Sequence, residues 1–199
     1  KIVGNSLRFR SSASAYLSRT PASAGNRTTW TFSAWVKRGG SGQRPLLQAG
    51  TVGNNYTLIQ FRSTDELMIT QNDSAVSTAY IVSTNLFRDY SAWYHIVAVW
   101  NTASATSTDR LQLYVNGVRI TSFSSSLFPA QNTNSHINNN IANDIGKYDV
   151  VYNDGYMAEI YFVDGQALAP TSFGAFDTNG VWQPLAYTGT FGTNGFYLD

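Results

Sequence analysis

The stretch Trp93 to Trp100, with the sequence WYHIVAVW, decides the fold class of this 199-residue chain. Apolar side chains fall on both faces of this extended segment, which is typical of a central strand that is covered on both sides. No window of about ten or more residues carries a helical apolar stripe. Because no helices are predicted to cross over between strands, the strands of this chain are predicted to pair antiparallel.

Two further segments alternate in polarity, which predicts strands with one core face and one outer face. In Trp30 to Lys37, the predicted core face carries Trp30, Phe32, Ala34 and Val36, and the outer face carries Thr31, Ser33, Trp35 and Lys37. In Tyr156 to Val163, the predicted core face carries Ala158, Ile160 and Phe162, and the outer face carries Glu159 and Tyr161. Each segment is therefore predicted to send every second side chain into the core.

The dipeptide Asn116-Gly117 lies between two apolar runs and predicts a two-residue hairpin turn, in which both residues adopt positive φ. In the resulting register, Val115 pairs with Val118 and Leu113 with Ile120 on the core face, while Tyr114 lies opposite Arg119 outside. Weaker strand patterns occur at 7–9, 46–49, 57–61, 67–70, 79–82 and 196–198. One short helical turn is predicted after Pro170, and the polar tracts 102–108 and 131–144 are predicted to be loops.

These patterns predict an all-β fold, a two-sheet antiparallel jelly-roll sandwich, as one domain over residues 1–199. The chain begins without Met and ends in a strand-like segment, so we expect it to be a segment of a longer chain. A net charge of +1, without blocks of like charge, argues against nucleic-acid partners. No apolar run approaches the roughly 20 residues that cross a bilayer, so no membrane insertion is expected.

The order of several short motifs resembles the laminin-G and pentraxin-like branch of the concanavalin A-like fold. The motifs are Thr31 to Lys37, Trp93 to Ala98, Leu113 to Gly117, Ile145-Gly146 and Gly155 to Ile160. The resemblance spans most of the chain and implies a concanavalin A-like jelly roll. Members of this family recognise glycans or proteins through loops and one sheet face, and some bind calcium through Asp and Asn side chains.

Two other stretches, Ala15 to Pro21 and Phe173 to Asp177 with Gly195 to Asp199, resemble virion proteins of tailed bacteriophages. This resemblance implies a location on the virion surface, outside the cell. It also implies surface glycans or other virion proteins as partners, and membership of an oligomeric virion assembly on a tail, fibre or head.

Catalytic chemistry has little support in the residues. A glycosidase needs two carboxylates that face the scissile bond, and the nearest approach is Glu159 with Asp164, which alternation places on opposite faces. The sequence predicts an exposed Glu159 and an Asp164 in a turn, and it predicts Asp65 and Glu66 as charges at a strand edge. No catalytic residues are therefore assigned.

The two histidines are predicted to be structural, with His95 hydrogen-bonded inside its apolar strand and His136 solvated in the Asn-rich loop. Cysteine is absent, which excludes disulfides and thiolate metal sites. No cofactor is expected, except that calcium could bind oxygen ligands at Asn143 and Asp144, in a cluster with Asp149, Asn153 and Asp154.

Sugar binding needs aromatic faces for stacking and a few fixed polar groups for the hydroxyls. The candidate ligand-binding residues are therefore Tyr148, Asp149, Tyr152, Asn153, Asp154 and Trp35. Three functions stay open. The first is a non-enzymatic virion domain that binds host or environmental glycans, the second is a purely structural decoration or spacer domain, and the third and weakest is a glycoside hydrolase.

Overall fold

The computed structural model describes residues 3–199 and consists almost entirely of β-strands. The strands are β1 (Leu7–Phe9), β2 (Leu17–Arg19), β3 (Thr29–Arg38), β4 (Arg44–Thr51), β5 (Asn55–Phe61), β6 (Glu66–Asp73), β7 (Val76–Leu86), β8 (Tyr94–Asn101), β9 (Leu111–Val115), β10 (Val118–Arg119), β11 (Phe123–Leu127), β12 (Asn143–Ile145), β13 (Lys147–Tyr148), β14 (Val151–Tyr152), β15 (Gly155–Asp164), β16 (Gly174–Phe176), β17 (Trp182–Pro184) and β18 (Phe196–Leu198). Short 3-10 turns occupy Ser11–Ala13, Ser107–Asp109 and Pro170–Ser172. Within residues 3–199, no helix has the length and apolar character needed to cross a membrane.

Two antiparallel sheets face each other and form the sandwich that the strand pattern predicts. Sheet A has the order β1-β15-β3-β8-β9-β10, and β18 also pairs with β15. Sheet B has the order β11-β7-β6-β5-β4-β12-β2. The small hairpins β13-β14 and β16-β17 lie outside both sheets.

The main core lies between the sheets and contains the predicted core face of β3. Trp30, Phe32, Ala34 and Val36 are all fully buried in it. From sheet B, directly paired residues on successive strands fill the other side, as Leu47 pairs with Ile59 and Ile59 with Ile69. Since opposed residues of paired strands point to the same face, these rows form one continuous apolar layer.

Strand β8 is the central strand that its sequence predicts, because it pairs with β3 on one side and β9 on the other. Its second apolar face is covered by the segment that follows β15. Val97 and Val99 pack there in a second cluster with Phe173, and Tyr187 and Phe191 close it from outside. The chain thus adds a third layer over the outer face of sheet A.

The Asn116-Gly117 hairpin is confirmed, with φ of 49° at Asn116 and 81° at Gly117. Val115 pairs with Val118, Tyr114 with Arg119, and the Ile120 amide donates to the Leu113 carbonyl at 2.8 Å. The predicted burial of Val118 is wrong, since 64% of it is exposed. Val118 is the first residue of β10, the two-residue strand at the edge of sheet A.

A β-bulge at Glu159 interrupts the predicted alternation of β15. Ala158 pairs with Trp35 and Tyr161 with Ser33, so two residues of β15 oppose the single residue Ala34. Glu159 is the extra residue and adopts a φ of 49°. Ile160 and Phe162 point into the main core as predicted, but Ala158 does not, because the bulge puts it on the outer face beside Trp35.

The prediction that Asp65 is a strand-edge charge is wrong. Asp65 is buried and accepts a hydrogen bond from the Arg38 guanidinium at 2.8 Å. Arg88 and the Tyr90 hydroxyl add contacts at 3.3 and 3.1 Å. Hydrogen bonding to these cations and to Tyr90 outweighs burial and lowers the pKa of Asp65. Glu66, one residue on, instead faces Arg62 at 3.6 Å near the surface.

The weaker strand predictions are confirmed as β1, β4, β5, β6, β7 and β18, and the turn after Pro170 is confirmed as a 3-10 turn. The loop prediction for 131–144 is wrong at its end. Asn143 and Asp144 belong to β12, which lies between β4 and β2. A three-residue strand with polar residues carries no alternation signal of its own, so only the pairing reveals it.

Candidate functional site

Three tryptophans meet in a cleft of about 480 Å³ on the outer side of sheet A. We call it the tryptophan cleft and define it by the residues that line it, which are Val3, Gly4, Asn5, Ser6, Trp35, Trp93, Ala158, Trp182, Gln183 and Pro184. None of these side chains is charged. The cleft is therefore an aromatic surface bordered by two neutral amides, Asn5 and Gln183.

The floor of the cleft follows from the register of sheet A. Trp35 is the outward residue of β3 and has Ala158 of β15 as its direct neighbour. The small Ala158 side chain leaves open space beside the indole, and it occupies this face only because of the bulge at Glu159. Trp93 comes immediately before β8 and completes this wall.

Trp182 reaches the cleft from β17, far along the chain, and is fixed by the residues beneath it. Its indole N–H donates to Nδ1 of the buried His95 at 2.9 Å. His95 also lies 2.8 Å from Oγ of Ser33 and stacks on Trp35, with ring centroids 5.1 Å apart. The prediction of a hydrogen-bonded structural His95 is confirmed, and burial lowers the pKa of His95 to about 3.

The arrangement of rings and amides suits an uncharged ring-shaped ligand. Trp35 and Trp93 are partly exposed and offer flat apolar area on which the C–H face of a sugar ring can stack, whereas Trp182 is buried and supports them. The side-chain nitrogens of Asn5 and Gln183 donate to Asp199 and Asp177 at 3.3 and 3.5 Å, and their amide oxygens can accept from hydroxyls. Trp182 stacks on His95 and meets Phe176 edge-on at 4.8 Å between centroids, so its orientation is fixed. A fixed ring loses little conformational entropy when a ligand binds.

Of the predicted ligand-binding residues, only Trp35 lies in the tryptophan cleft. Tyr148, Asp149 and Tyr152 form the hairpin β13-β14, which packs beside β4 of sheet B. The Tyr148 ring contacts Tyr56 at 5.3 Å, and burial together with the Tyr56 hydroxyl raises the pKa of Tyr148. Asp149 is in the turn, with φ of 54°, and is exposed.

The other residues of this predicted set face the protein. Tyr152 packs on Tyr16 with centroids 6.0 Å apart. Asn153 is buried, and neither its amide nitrogen nor its amide oxygen has a hydrogen-bond partner among the described residues. A carboxylate oxygen of Asp154 accepts from the Ser11 amide at 3.4 Å. The exposed part of the predicted site is therefore the hairpin tip at Asp149.

The oxygens of the candidate calcium ligands are used inside sheet B. Asp144 accepts from the Ser18 hydroxyl at 2.6 Å and from the Gln48 amide at 3.0 Å. The Asn143 side-chain oxygen accepts from the Asn138 amide at 3.0 Å. Across residues 3–199, no three or more His, Asp or Glu side chains converge as metal ligands would. The residues present do not fit a calcium site at this position.

Glu159 and Asp164, the nearest approach to a glycosidase carboxylate pair, are both buried. The prediction of an exposed Glu159 is therefore wrong. The Tyr161 and Tyr197 hydroxyls donate to Glu159 at 2.8 and 3.1 Å. Asp164 is more than a turn residue, since it accepts from the backbone amides of Asn26 and Asn194 at 2.8 and 3.1 Å. The Asn138 side-chain amide adds a third contact at 2.6 Å.

The prediction that His136 is a solvated loop residue is wrong. Its Nε2 lies 2.8 Å from a carboxylate oxygen of Asp73, and its backbone amide donates to the Thr57 hydroxyl. Thr78 and Gln71 also donate to Asp73. These hydrogen bonds outweigh burial and lower the pKa of Asp73. The pair fastens the Asn-rich loop to the end of β6.

Sequence reasoning missed Trp93, Trp182 and Gln183 as site residues. The sequence predicts Trp93 as part of the buried strand, although it lies immediately before β8. Trp182 and Gln183 belong to the short segment Val181 to Pro184, which carries no periodic signal. The available hint was the outward position of Trp35, an indole on an otherwise polar face.

Comparisons with known proteins agree with the sandwich. A family model described as the concanavalin A-like lectin/glucanases superfamily matches residues 11–172. No curated protein sequence matches the chain.

Solved structures with low sequence identity share this fold. A heptameric pentraxin of Limulus polyphemus has a TM-score of 0.53 at 17% identity, over 77% of this chain and 71% of its own. The CBM40 module of the IT-sialidase of Ruminococcus gnavus, solved with α2,3-sialyllactose, has a TM-score of 0.52 at 12% identity, over 78% and 95%. The enzymatically active domain of tailspike protein 2 of bacteriophage CBA120 has a TM-score of 0.57 at 12% identity, over 86% of this chain but 26% of its own.

These matches and the two opposed antiparallel sheets lead to one assignment. The family model covers most of the chain, from before β2 to the 3-10 turn at Pro170. The chain belongs to the concanavalin A-like lectin/glucanase superfamily.

Proposed function

We propose that this chain is a carbohydrate-binding domain without catalytic activity, and that the tryptophan cleft is its binding site. The observation that carries the proposal is the meeting of three indoles with the amides of Asn5 and Gln183 in a cleft of about 480 Å³. That volume lies within the range of roughly 300–1,000 Å³ that is usual for small-ligand sites.

The charge and the buried carboxylates support binding over hydrolysis. The residues of 3–199 that line the cleft include no Asp or Glu, whereas glycoside hydrolysis by a protein normally uses two carboxyl groups at the scissile bond. Glu159 accepts from the Tyr161 and Tyr197 hydroxyls, and Asp164 accepts from the Asn26 backbone amide and the Asn138 side-chain amide. Turnover of a polysaccharide that is lost in Glu159→Gln would instead support the glycosidase alternative.

We propose further that the domain acts outside the cell, on the surface of a tailed bacteriophage particle, within an oligomeric virion assembly. The resemblance of Ala15 to Pro21 and of the C-terminal stretch to virion proteins supports this placement. The likeness to the bacteriophage CBA120 tailspike is a likeness of fold. In this setting, the ligands of the tryptophan cleft would be neutral sugars of host or environmental glycans.

A glycan array with the purified chain tests the binding proposal, with Trp93→Ala as the matched variant. Trp93 is half-buried at the rim of the cleft, so its removal leaves the core between the sheets intact. We expect binding of neutral glycans by the wild type and at least a tenfold loss in the variant, since truncating an aromatic hot-spot residue to alanine costs about 2 kcal/mol or more. Failure of the wild type to bind any glycan above the level of an unrelated β-sandwich would refute the proposal.

The β13-β14 hairpin is the second candidate surface, since it holds most of the ligand-binding residues that the sequence predicts. Asp149→Ala removes its exposed carboxylate, and Tyr152→Ala removes the ring that packs on Tyr16. Loss of glycan binding in these variants, with Trp93→Ala unaffected, would move the site to the hairpin.

A purely structural role as a decoration or spacer domain is the alternative function. Two observations favour it. Among residues 3–199, no charged side chain lines the tryptophan cleft, and both sheets have extended faces. An electron-microscopy reconstruction of the parent particle separates the two roles. A tryptophan cleft buried against other virion proteins would support the spacer role, and a cleft open to solvent would support recognition.

A further inference from the structure

A second cavity, of about 300 Å³, lies between the two sheets at one open edge of the sandwich. Its walls come from short edge strands and their neighbours, and are mostly apolar: Leu17, Leu47 and Ile145 from sheet B, and Phe162, Phe196 and Leu198 from sheet A. Ser18, Asn138, Asn143 and Asn194 supply the polar part of the lining. It is separate from the tryptophan cleft, because it opens between the sheets and not on the outer side of sheet A.

The register explains why this edge is open. Leu17 pairs with Ile145, and Ile145 with Leu47, so all three point toward the interior. On the facing sheet, Phe196 pairs with Phe162. Both edge strands, β2 and β18, are only three residues long, and no further strand of residues 3–199 closes the gap between them.

The cavity has a cationic mouth. Arg19, on β2, donates to the backbone carbonyl of Asn194 at 2.9 Å, and its guanidinium lies over the Phe196 ring at 5.8 Å from the centroid. It forms no ion pair with a carboxylate of residues 3–199. An exposed guanidinium with unused donors therefore stands beside an apolar chamber.

We propose that this cavity binds the alkyl chain of a free medium-chain fatty acid, whose carboxylate pairs with Arg19. A chamber of this kind with apolar walls favours an apolar occupant over water, and a dry cavity of roughly 150 Å³ already accepts benzene. Here the volume is about twice that, or about ten times the roughly 30 Å³ that one water-sized group occupies in a liquid. A guanidinium at the mouth selects an anionic head group over a neutral one.

Decanoate, used below its micelle concentration with the full chain, is the probe. Calorimetric titration is expected to show one saturable site, with methyl NMR signals of Leu47, Ile145 and Leu198 shifting on binding. Leu17→Trp and Leu198→Trp, which fill the chamber from opposite sheets, are expected to weaken binding at least tenfold. Trp93→Ala, in the tryptophan cleft, is expected to leave it unchanged.

The contact between the carboxylate and Arg19 is tested by comparing decanoate with decanol. We expect decanol to bind the wild type at least fivefold more weakly than decanoate, and Arg19→Gln to remove this preference. Arg8→Gln, an exposed arginine on β1, is the matched control and is expected to keep it. The proposal is overturned if decanoate shows no saturable binding, or if both chamber-filling variants bind it as the wild type does. An unchanged preference in Arg19→Gln would overturn the role of Arg19.

Discussion

The indole nitrogen of Trp182 lies 2.9 Å from Nδ1 of His95. An indole N–H can only donate, so Nδ1 accepts, and the proton of the neutral imidazole is on Nε2. Nε2 then donates to the Ser33 hydroxyl 2.8 Å away. The buried imidazole is thereby held in one tautomer, and it connects one wall of the tryptophan cleft to the central strands of sheet A.

This contact predicts a pH-dependent stability. Burial holds the folded-state pKa of His95 at about 3, against an unfolded value of 6.5. Between these values the unfolded chain binds a proton that the folded chain does not, so stability falls as pH falls through this window. At pH 4.5 the loss amounts to about 2–3 kcal/mol.

Urea unfolding at pH 7 and pH 4.5, for the wild type and His95→Gln, measures this term. The variant removes the titrating group, so its free energy of unfolding is expected to fall less between the two pH values. The difference between the proteins isolates His95 from carboxylates such as Asp65 and Asp73, which titrate in both. Equal losses in the two proteins would contradict a neutral buried imidazole.

The Trp182 donor can be removed without removing an aromatic ring. In Trp182→Phe, Nδ1 of His95 has no donor, and a buried acceptor without a partner costs about 1–3 kcal/mol. We expect this decrease in the free energy of unfolding at pH 7, together with weaker glycan binding. Thermal and urea unfolding check the first effect. Trp93→Ala is the control, because the hydrogen bonds and ring contacts of the His95 side chain within residues 3–199 are with Ser33, Trp35 and Trp182. We expect this variant to cost less.

Gly117 lies directly against the Trp182 ring. A Cβ at Gly117 would come within 2.6 Å of the Trp182 ring, and the residue has φ of 81°. Gly53 has a similar φ of 75° but nothing within 4 Å. Both substitutions to alanine pay the cost of positive φ, about 1–2 kcal/mol. Only Gly117→Ala must also displace Trp182.

We therefore expect Gly117→Ala to lower the free energy of unfolding by at least about 1 kcal/mol more than Gly53→Ala, as for other overpacked sites. Tryptophan fluorescence is expected to shift in Gly117→Ala alone. Equal effects of the two substitutions on stability and fluorescence would show that the hairpin does not position Trp182.

The buried ion pair of Arg38 and Asp65 gives a prediction about the core. Arg38 is fully buried, and Asp65→Asn would leave its charge without a counter-ion, at a cost of about 3–5 kcal/mol. Asp109→Asn is the matched control, because the Asp109 and Arg119 side chains are both more than a third exposed. That substitution is expected to cost less than about 1 kcal/mol. Chemical unfolding of both variants decides the comparison.

Much of the sandwich was predictable from local pattern. The alternation of Trp30 to Lys37, the two apolar faces of Trp93 to Trp100 and the Asn116-Gly117 turn each depend on residues that are neighbours in the chain. Periodicity of two and the φ demands of a turn are properties of a single segment, so the sequence expresses them directly. The burial of Val118 was the exception, because burial depends on what the opposite sheet covers.

The tryptophan cleft, in contrast, could not be predicted from local pattern. Trp182 meets His95 across 87 positions of sequence, and the bulge at Glu159 that turns Ala158 toward Trp35 arises where β15 changes partners from β1 to β18. No local pattern encodes either event. The predicted ligand set therefore combined Trp35 with a hairpin that lies elsewhere.

By itself, the sequence determined where most of the long strands lie, which of their faces are apolar and where the tightest turn lies, because these depend on the backbone geometry of consecutive residues. The tertiary structure alone decided which tryptophans share a cleft, that Asp65 is buried against Arg38, and that a chamber remains between β2 and β18. Those features depend on pairing and packing between segments that are distant in the chain. The contacts between the segments stabilise them, so the sequence of one segment alone does not predict them.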